Sequence, residues 1–405
     1  MMTELTMEQK TLLRLLACTL RGETTGELPL ELDWDGLLTE CRQQTVQALG
    51  YFGADGAALP QATKDSWKKV AYKEVGTYYR VCMAHAEICR LLEDNGLPTV
   101  ILKGYASAQY YPHPEYRAMG DVDFYVAPED IEKSRALLEA NGYTDDHRVG
   151  DHDHSYHKNG VHFELHFAVS GVPRGEEGEP FRKELATLLA ERRRIETQFG
   201  EVYVPSDYHH GLILLLHTAS HLLGGGLGLR HLCDWAAFVG SFAEADFRKT
   251  FEASLRALQL WRFAQMLTRC CELFLELPAQ GWTRDADDEA AARLMDEFWT
   301  AGNFGVKETR KSDLMLSEGF SVRLGKKSGF ATLLAVLRRA TEQRWPITGR
   351  VRVLQPFGML ILALRYAFRM AIGKRERLHF LAMSREAEER KKLFLSFGLS
   401  DGETE

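Results

Sequence analysis

The twelve residues YHKNGVHFELHF, from Tyr156 to Phe167, constrain this chain more than any other stretch of it. Asn159 and Gly160 tolerate the positive backbone angles of a two-residue turn, and apolar and polar residues alternate beside them, so the segment reads as a β-hairpin. Most of the remaining chain has apolar residues at three-to-four spacing, as in Thr11 to Leu20, Trp34 to Leu49 and Thr63 to Asn95. An all-helical fold is therefore excluded. Between the helical stretches the period changes. Gly96 and Pro98 stop the long helix, Thr99 to Leu102 reads as a buried strand, Lys103-Gly104 as a turn, and Tyr105 to Tyr111 as a helix that Pro112 and Pro114 end. Val122 to Val126 is a second strand, Ile131 to Asn141 a helix closed by Gly142, and Glu201 to Val204 a last short strand. From Tyr208 the pattern is helical to near the C-terminus, broken by a loop at Gly224 to Gly228 and by polar stretches at 281–290 and 307–329. The chain reads as α+β: a small mixed β-sheet core over 96–206, an N-terminal helical segment over 1–95, and a larger C-terminal helical domain over 207–405.

Asp121 and Asp123, in YRAMGDVDFYV, do not fit a core strand, because burying a charge costs free energy unless something pairs with it. Residues two apart on a strand share a face, so the two acids point the same way. On the hairpin's second strand Val161, Phe163, Leu165 and Phe167 point to one side and His162, Glu164 and His166 to the other, with Glu164 the one carboxylate of that polar set. If the two strands are neighbours, three carboxylates converge. A hard divalent cation is their natural partner, and Mg²⁺ binds through a few carboxylates together with substrate phosphates.

The order of motifs resembles the uncharacterised nucleotidyltransferase family of the polymerase-beta-like superfamily. It runs strand, LKG turn, helix, YPHPEYR, GDVDFYV, helix, NG hairpin and ELH, then a helical domain containing LLLHTASHLLGGGLGLRHLCDWAAF. The resemblance covers most of residues 30 to 240. It implies that Gly104 is the turn near a triphosphate and that Asp121, Asp123 and Glu164 are the metal-binding catalytic acids. It further implies transfer of a nucleoside monophosphate from an NTP, with ATP the first expectation and Mg²⁺ or Mn²⁺ as cofactor. The acceptor would be a hydroxyl on an unknown protein, RNA or small molecule, and pyrophosphate would be released. The superfamily's turn usually pairs Gly with Gly or Ser, whereas Gly104 here lies between Lys103 and Tyr105. Lys103, Arg117 and, one turn further on, Ser107 are accordingly the candidate nucleotide contacts, along with His166 of the ELH pattern. An inactive or weakly active nucleotide-binding regulatory module, antitoxin-like, is the alternative.

Five histidines, His152, His154, His157, His162 and His166, crowd the hairpin, but no HExxH spacing accompanies them, so a zinc hydrolase is disfavoured and His166 is read as a contact to substrate, nucleotide or the acids. His217 and His221 are four apart, a spacing that can bind metal and that more often packs or caps a helix. Arg230 and Asp234, also four apart, read as an ion pair along one helix.

Composition limits the partners. A net charge of -7 argues against a protein that coats nucleic acid nonspecifically. Between Arg323 and Lys392, however, 17 Lys and Arg face 5 Asp and Glu, which suits an anionic partner as well as it suits a solvated helix face. Seven cysteines without metal-site spacing read as reduced packing residues. The N-terminus carries no secretory pattern, and the apolar run Val351 to Ile372 is interrupted by Pro356, Arg365 and Arg369, so no transmembrane segment is expected and the expected location is cytoplasmic.

Overall fold

Thr6 opens the first helix with a reciprocal capping box to Gln9, and Leu12, Leu13, Leu15 and Leu16 give that helix its buried face. The computed structural model describes residues 4–302 except positions 30, 150, 151, 174 and 225, together with positions 338, 341, 352–361 and 364. Four helices come first: α1 (Met7–Leu20), α2 (Trp34–Gln44), α3 (Gln47–Gly53) and the 33-residue α4 (Gln61–Glu93). The expected single helix over Trp34 to Leu49 is broken at Thr45, whose φ is +57°. The break follows from the last residue of α2. The buried Gln44 side chain donates to the Phe298 carbonyl (3.0 Å) and accepts from the Leu229 amide (2.9 Å), which ties the end of α2 to helices far along the chain.

The sheet has five strands in the order β1-β2-β5-β4-β3: β1 (Thr99–Ile101), β2 (Val122–Val126), β3 (Thr144–Val149), β4 (Asp153–Lys158) and β5 (Val161–His166). It is mixed, because β2 runs parallel to β5 while the other neighbours pair antiparallel. Helix α5 (Tyr105–Ala108) follows β1 and is shorter than its sequence suggested; α6 (Ile131–Ala140) links β2 to β3. The β4–β5 turn has Asn159 at φ +51° and Gly160 at +71°, the hairpin geometry expected of Asn-Gly. After α7 (Glu179–Leu185), β6 (Arg193–Thr197) and β7 (Gly200–Val204) form a separate two-stranded ribbon.

The helices α8 (Asp207–Gly224), α9 (Leu229–Gly240), α10 (Glu244–Ala257), α11 (Trp261–Phe274) and α12 (Asp288–Ala301) complete this part of the chain. Their apolar faces merge with those of α1, α2 and α3 in one core, around Trp67, Trp235, Phe238, Phe251 and Phe263. A second core packs the sheet, through Phe124, Phe163 and Leu165, onto Ile88, Cys89 and Leu92 of α4. All seven cysteines are buried. No helix among the described residues is long and apolar enough to cross a membrane. Most of the basic stretch between Arg323 and Lys392, and half of the run Val351 to Ile372, lies outside the described residues.

Candidate functional site

Parallel pairing of β2 with β5 places Asp123 directly opposite Glu164. Asp121 precedes β2 on the same face, so the three acids meet as alternation required. Their exposures differ: the Asp121 side chain is 51% exposed, that of Glu164 is 25% exposed, and that of Asp123 only 8%. Glu164 belongs to two groups whose ligand atoms all lie within 4.8 Å of one another, one with Asp121 and His162 and one with Asp123 and His166. Such spacing is compatible with oxygen ligation of shared cations.

The buried Asp123 has its counter-charges close by. Its Oδ1 lies 2.8 Å from Lys103 Nζ and 3.0 Å from His166 Nε2. Burial alone would raise its pKa, but Lys103 and His166 outweigh it and hold the carboxyl well below the usual range. His166 is fully buried, and its Nε2 also approaches Glu164 Oε2 at 3.3 Å. Burial disfavours its charge, yet the bonds to Asp123 and Glu164 raise its pKa above the ordinary value. His166 therefore sits behind the carboxylates and fixes their positions.

Gly104, between β1 and α5, has φ +61° and ψ -114°, a region that a side chain opposes. A Cβ there would also lie 2.6 Å from Cε1 of the buried His85, which comes from α4. Glycine is thus required twice, by the backbone and by the ring behind it. Burial pushes the His85 pKa down to about 3, so that ring is neutral.

The acids face a cavity of about 370 Å³. From the sheet side it is lined by Lys103, Gly104, Arg117 and the three acids; from the helical side it is lined by His217, His221 and Arg230, with Thr45 at the end of α2. Arg117 touches the cavity, but its charge is engaged elsewhere. Its Nε and Nη2 donate to Asp234 Oδ1 (2.6 Å) and Oδ2 (2.8 Å) in a bidentate pair that is almost wholly buried, and Tyr111 Oη donates to Asp234 Oδ1 at 2.7 Å. Asp234, expected to pair with Arg230, is thus taken by Arg117. Arg230, half-buried, forms no ion pair among the described residues and lines the cavity instead, with its Nε buried and lacking a hydrogen-bond partner. Burial, followed by the nearby Arg117, lowers its pKa from the usual arginine value. Ser107 is not among the residues that line the cavity: it is 3% exposed, and its hydroxyl has no partner among the described residues.

Arg230 was read in the sequence only as a structural partner of Asp234, and the His217–His221 pair had no role assigned. Their signal was there as four-residue spacing, but spacing along a helix does not say which neighbour competes for each group. The Arg117–Asp234 pair and the His85 backstop left no local signal.

A small mixed sheet thus presents three carboxylates to a cavity that helices line on its other side. Residues 31–276 match the family described as uncharacterised nucleotidyltransferase, and the chain belongs to that family. No curated protein matches it.

Proposed function

We propose that the chain transfers a nucleoside monophosphate from an NTP to a hydroxyl acceptor with Mg²⁺ or Mn²⁺ bound by Asp121, Asp123 and Glu164. The observation that carries this reading is the register of β2 on β5, which sets Asp123 against Glu164 at the wall of a cavity that also holds Lys103 and Arg230. The all-oxygen donor set of the three acids fits a hard divalent cation. Such ions supply charge neutralisation at the phosphates and lower the pKa of a bound hydroxyl.

The chain's own groups perform the rest. Asp123 remains ionised because Lys103 and His166 hold it so. Glu164, partly exposed beside His166, is placed to accept the acceptor's hydroxyl proton. The acceptor oxygen forms a bond to the α-phosphorus as the bond from that phosphorus to the β-phosphate bridging oxygen breaks, and pyrophosphate leaves. Arg230 and Lys103 carry the positive charge that meets the departing phosphates, and positioning with charge neutralisation accounts for the catalysis. ATP is the nucleotide to try first, and the cytoplasm the compartment in which to seek the acceptor.

The test is incubation of the full chain with each α-labelled NTP, Mg²⁺ or Mn²⁺, and lysate separated into protein, RNA and small-molecule fractions. Label should appear in one fraction and fall on the order of 10²–10³-fold or more with Asp121→Asn plus Asp123→Asn, or with Glu164→Gln. Label that persists in the double variant overturns the site. Metal-dependent binding of a nonhydrolysable NTP by calorimetry, with no transfer in any fraction, would instead assign the antitoxin-like binding module.

A further inference from the structure

We propose that His217, His221 and His231 form a second metal site, selective for a borderline ion such as Zn²⁺ or Co²⁺ and separate from the carboxylates. It does not rest on the nucleotidyl-transfer reading. His217 and His221, four apart on α8, project from one face of that helix. Helix α9 brings His231 against them, with ring centroids 4.4 Å (His217 to His221), 5.3 Å (His217 to His231) and 4.9 Å (His221 to His231) apart. One ring nitrogen from each lies within 4.8 Å of the other two. At the Zn–N distance of about 2.0–2.1 Å, tetrahedral ligands sit roughly 3.3 Å apart, so small ring rotations close the site.

His231 carries the argument for a ligand. Its Nδ1 faces the Gly228 carbonyl at 3.3 Å, and as donor there it leaves Nε2 with an in-plane lone pair. That Nε2 is buried and has no partner among the described residues, on a residue only 4% exposed. A metal-bound histidine typically makes this arrangement, with one nitrogen tied to a carbonyl and the other on the ion. The Nδ1 of His217 is likewise buried and unpartnered. Three rings packed only for shape would need no nitrogens at all, and apolar side chains would serve that purpose without leaving polar atoms unpaired.

The ligand chemistry chooses the ion. An all-imidazole set suits zinc, cobalt, nickel or copper and is a poor host for Mg²⁺. Burial, with Arg230 adding to it, keeps all three rings neutral, His221 with a pKa of about 4 and the others well below the ordinary value, so no ring is blocked by protonation near neutral pH. No carboxylate belongs to the trio, and Arg230 is nearby, so a bound ion would keep its full charge. Because His217 and His221 line the cavity, the fourth ligand position faces it and suits a hydroxide or phosphate oxygen.

The experiment is titration of the metal-stripped full chain with Co²⁺ in millimolar Mg²⁺, read by the visible absorption of cobalt. One tetrahedral cobalt per chain is expected, with affinity at least tenfold weaker in His217→Asn and His231→Asn and unchanged in Asp121→Asn plus Asp123→Asn. Zinc X-ray absorption on the unaltered chain needs no variant, and three imidazoles per ion are expected. Loss of the cobalt band in the aspartate double variant, or fewer than two imidazoles per zinc, overturns the proposal. So does binding that survives both histidine changes, as it would if Asp146 on β3 with His157 and His162 on the hairpin held the ion.

Discussion

The two sides of the cavity solve opposite electrostatic problems. The sheet side carries charge that is already balanced: Asp123 is ionised between Lys103 and His166, and two carboxylates raise the pKa of His166 against its burial. The helical side carries rings kept neutral and an arginine without a carboxylate partner among the described residues. One histidine is raised and three are lowered within one small volume, so neighbours rather than residue type set the protonation. Where carboxylates sit beside the ring, their field overcomes burial. Where no carboxylate belongs to the cluster, burial wins.

The connection between the two sides gives the largest expected effect. Arg117→Ala leaves the Asp234 carboxylate buried without its main counter-charge and is expected to cost ~3–5 kcal/mol in denaturant unfolding. Replacing both partners, Arg117→Met with Asp234→Leu, should return most of that loss; if it does not, the pair contributes more than mutual neutralisation. Gly104→Ala comes next, at about 2 kcal/mol, since it adds a side chain at positive φ against His85. Adding His85→Ala should recover the steric part and leave the backbone part, so additivity of the two changes would show that the ring is not the obstacle.

Acid distinguishes the two kinds of histidine. His210, on α8, has its pKa lowered by burial to about 3, below the ordinary 6.5. The unfolded chain therefore binds more protons as pH falls below about 6.5. Stability should drop toward pH 4 with a slope approaching ~1.4 kcal/mol per pH unit for each such histidine. His166 works the other way: its raised pKa contributes stability that is complete below about 6.5 and lost as pH rises through the folded value. Urea midpoints from pH 7 to 4 should fall less steeply in His210→Gln than in the unaltered chain. An unchanged slope would contradict the neutral assignment. The smallest effect belongs to a pair away from the cavity. Lys158→Ala removes a partly exposed contact to Glu87 (2.6 Å) and a cation–π contact to Tyr143, and should cost no more than ~1 kcal/mol.

What the sequence disclosed was whatever follows from short-range periodicity. Asp121, Asp123 and Glu164 were legible because alternation fixes their faces and Asn159-Gly160 fixes the hairpin, leaving only the neighbouring of two strands to be supposed. The strands β3, TDDHRV, and β6, RRIET, were not legible, because charged residues mask their alternation. Arg117 and Asp234 are 117 positions apart, and nothing local joins them. Spacing instead suggested Arg230 for Asp234, and it failed because the planar fork of Arg117 reaches both carboxylate oxygens. Ser107 was placed one turn too hopefully, since α5 is a four-residue helix that turns that hydroxyl inward.

The same ion pair settles how the chamber meets large molecules. Arg117 stands just ahead of the carboxylates, and Asp234 stands on the helix that also carries Arg230 and His231, so their buried fork acts as a locked calliper between two jaws. With about 370 Å³ inside, the acceptor of the proposed transfer, were it a protein or an RNA, would remain outside and offer only a protruding hydroxyl, such as a side chain or a strand end, to the acids within.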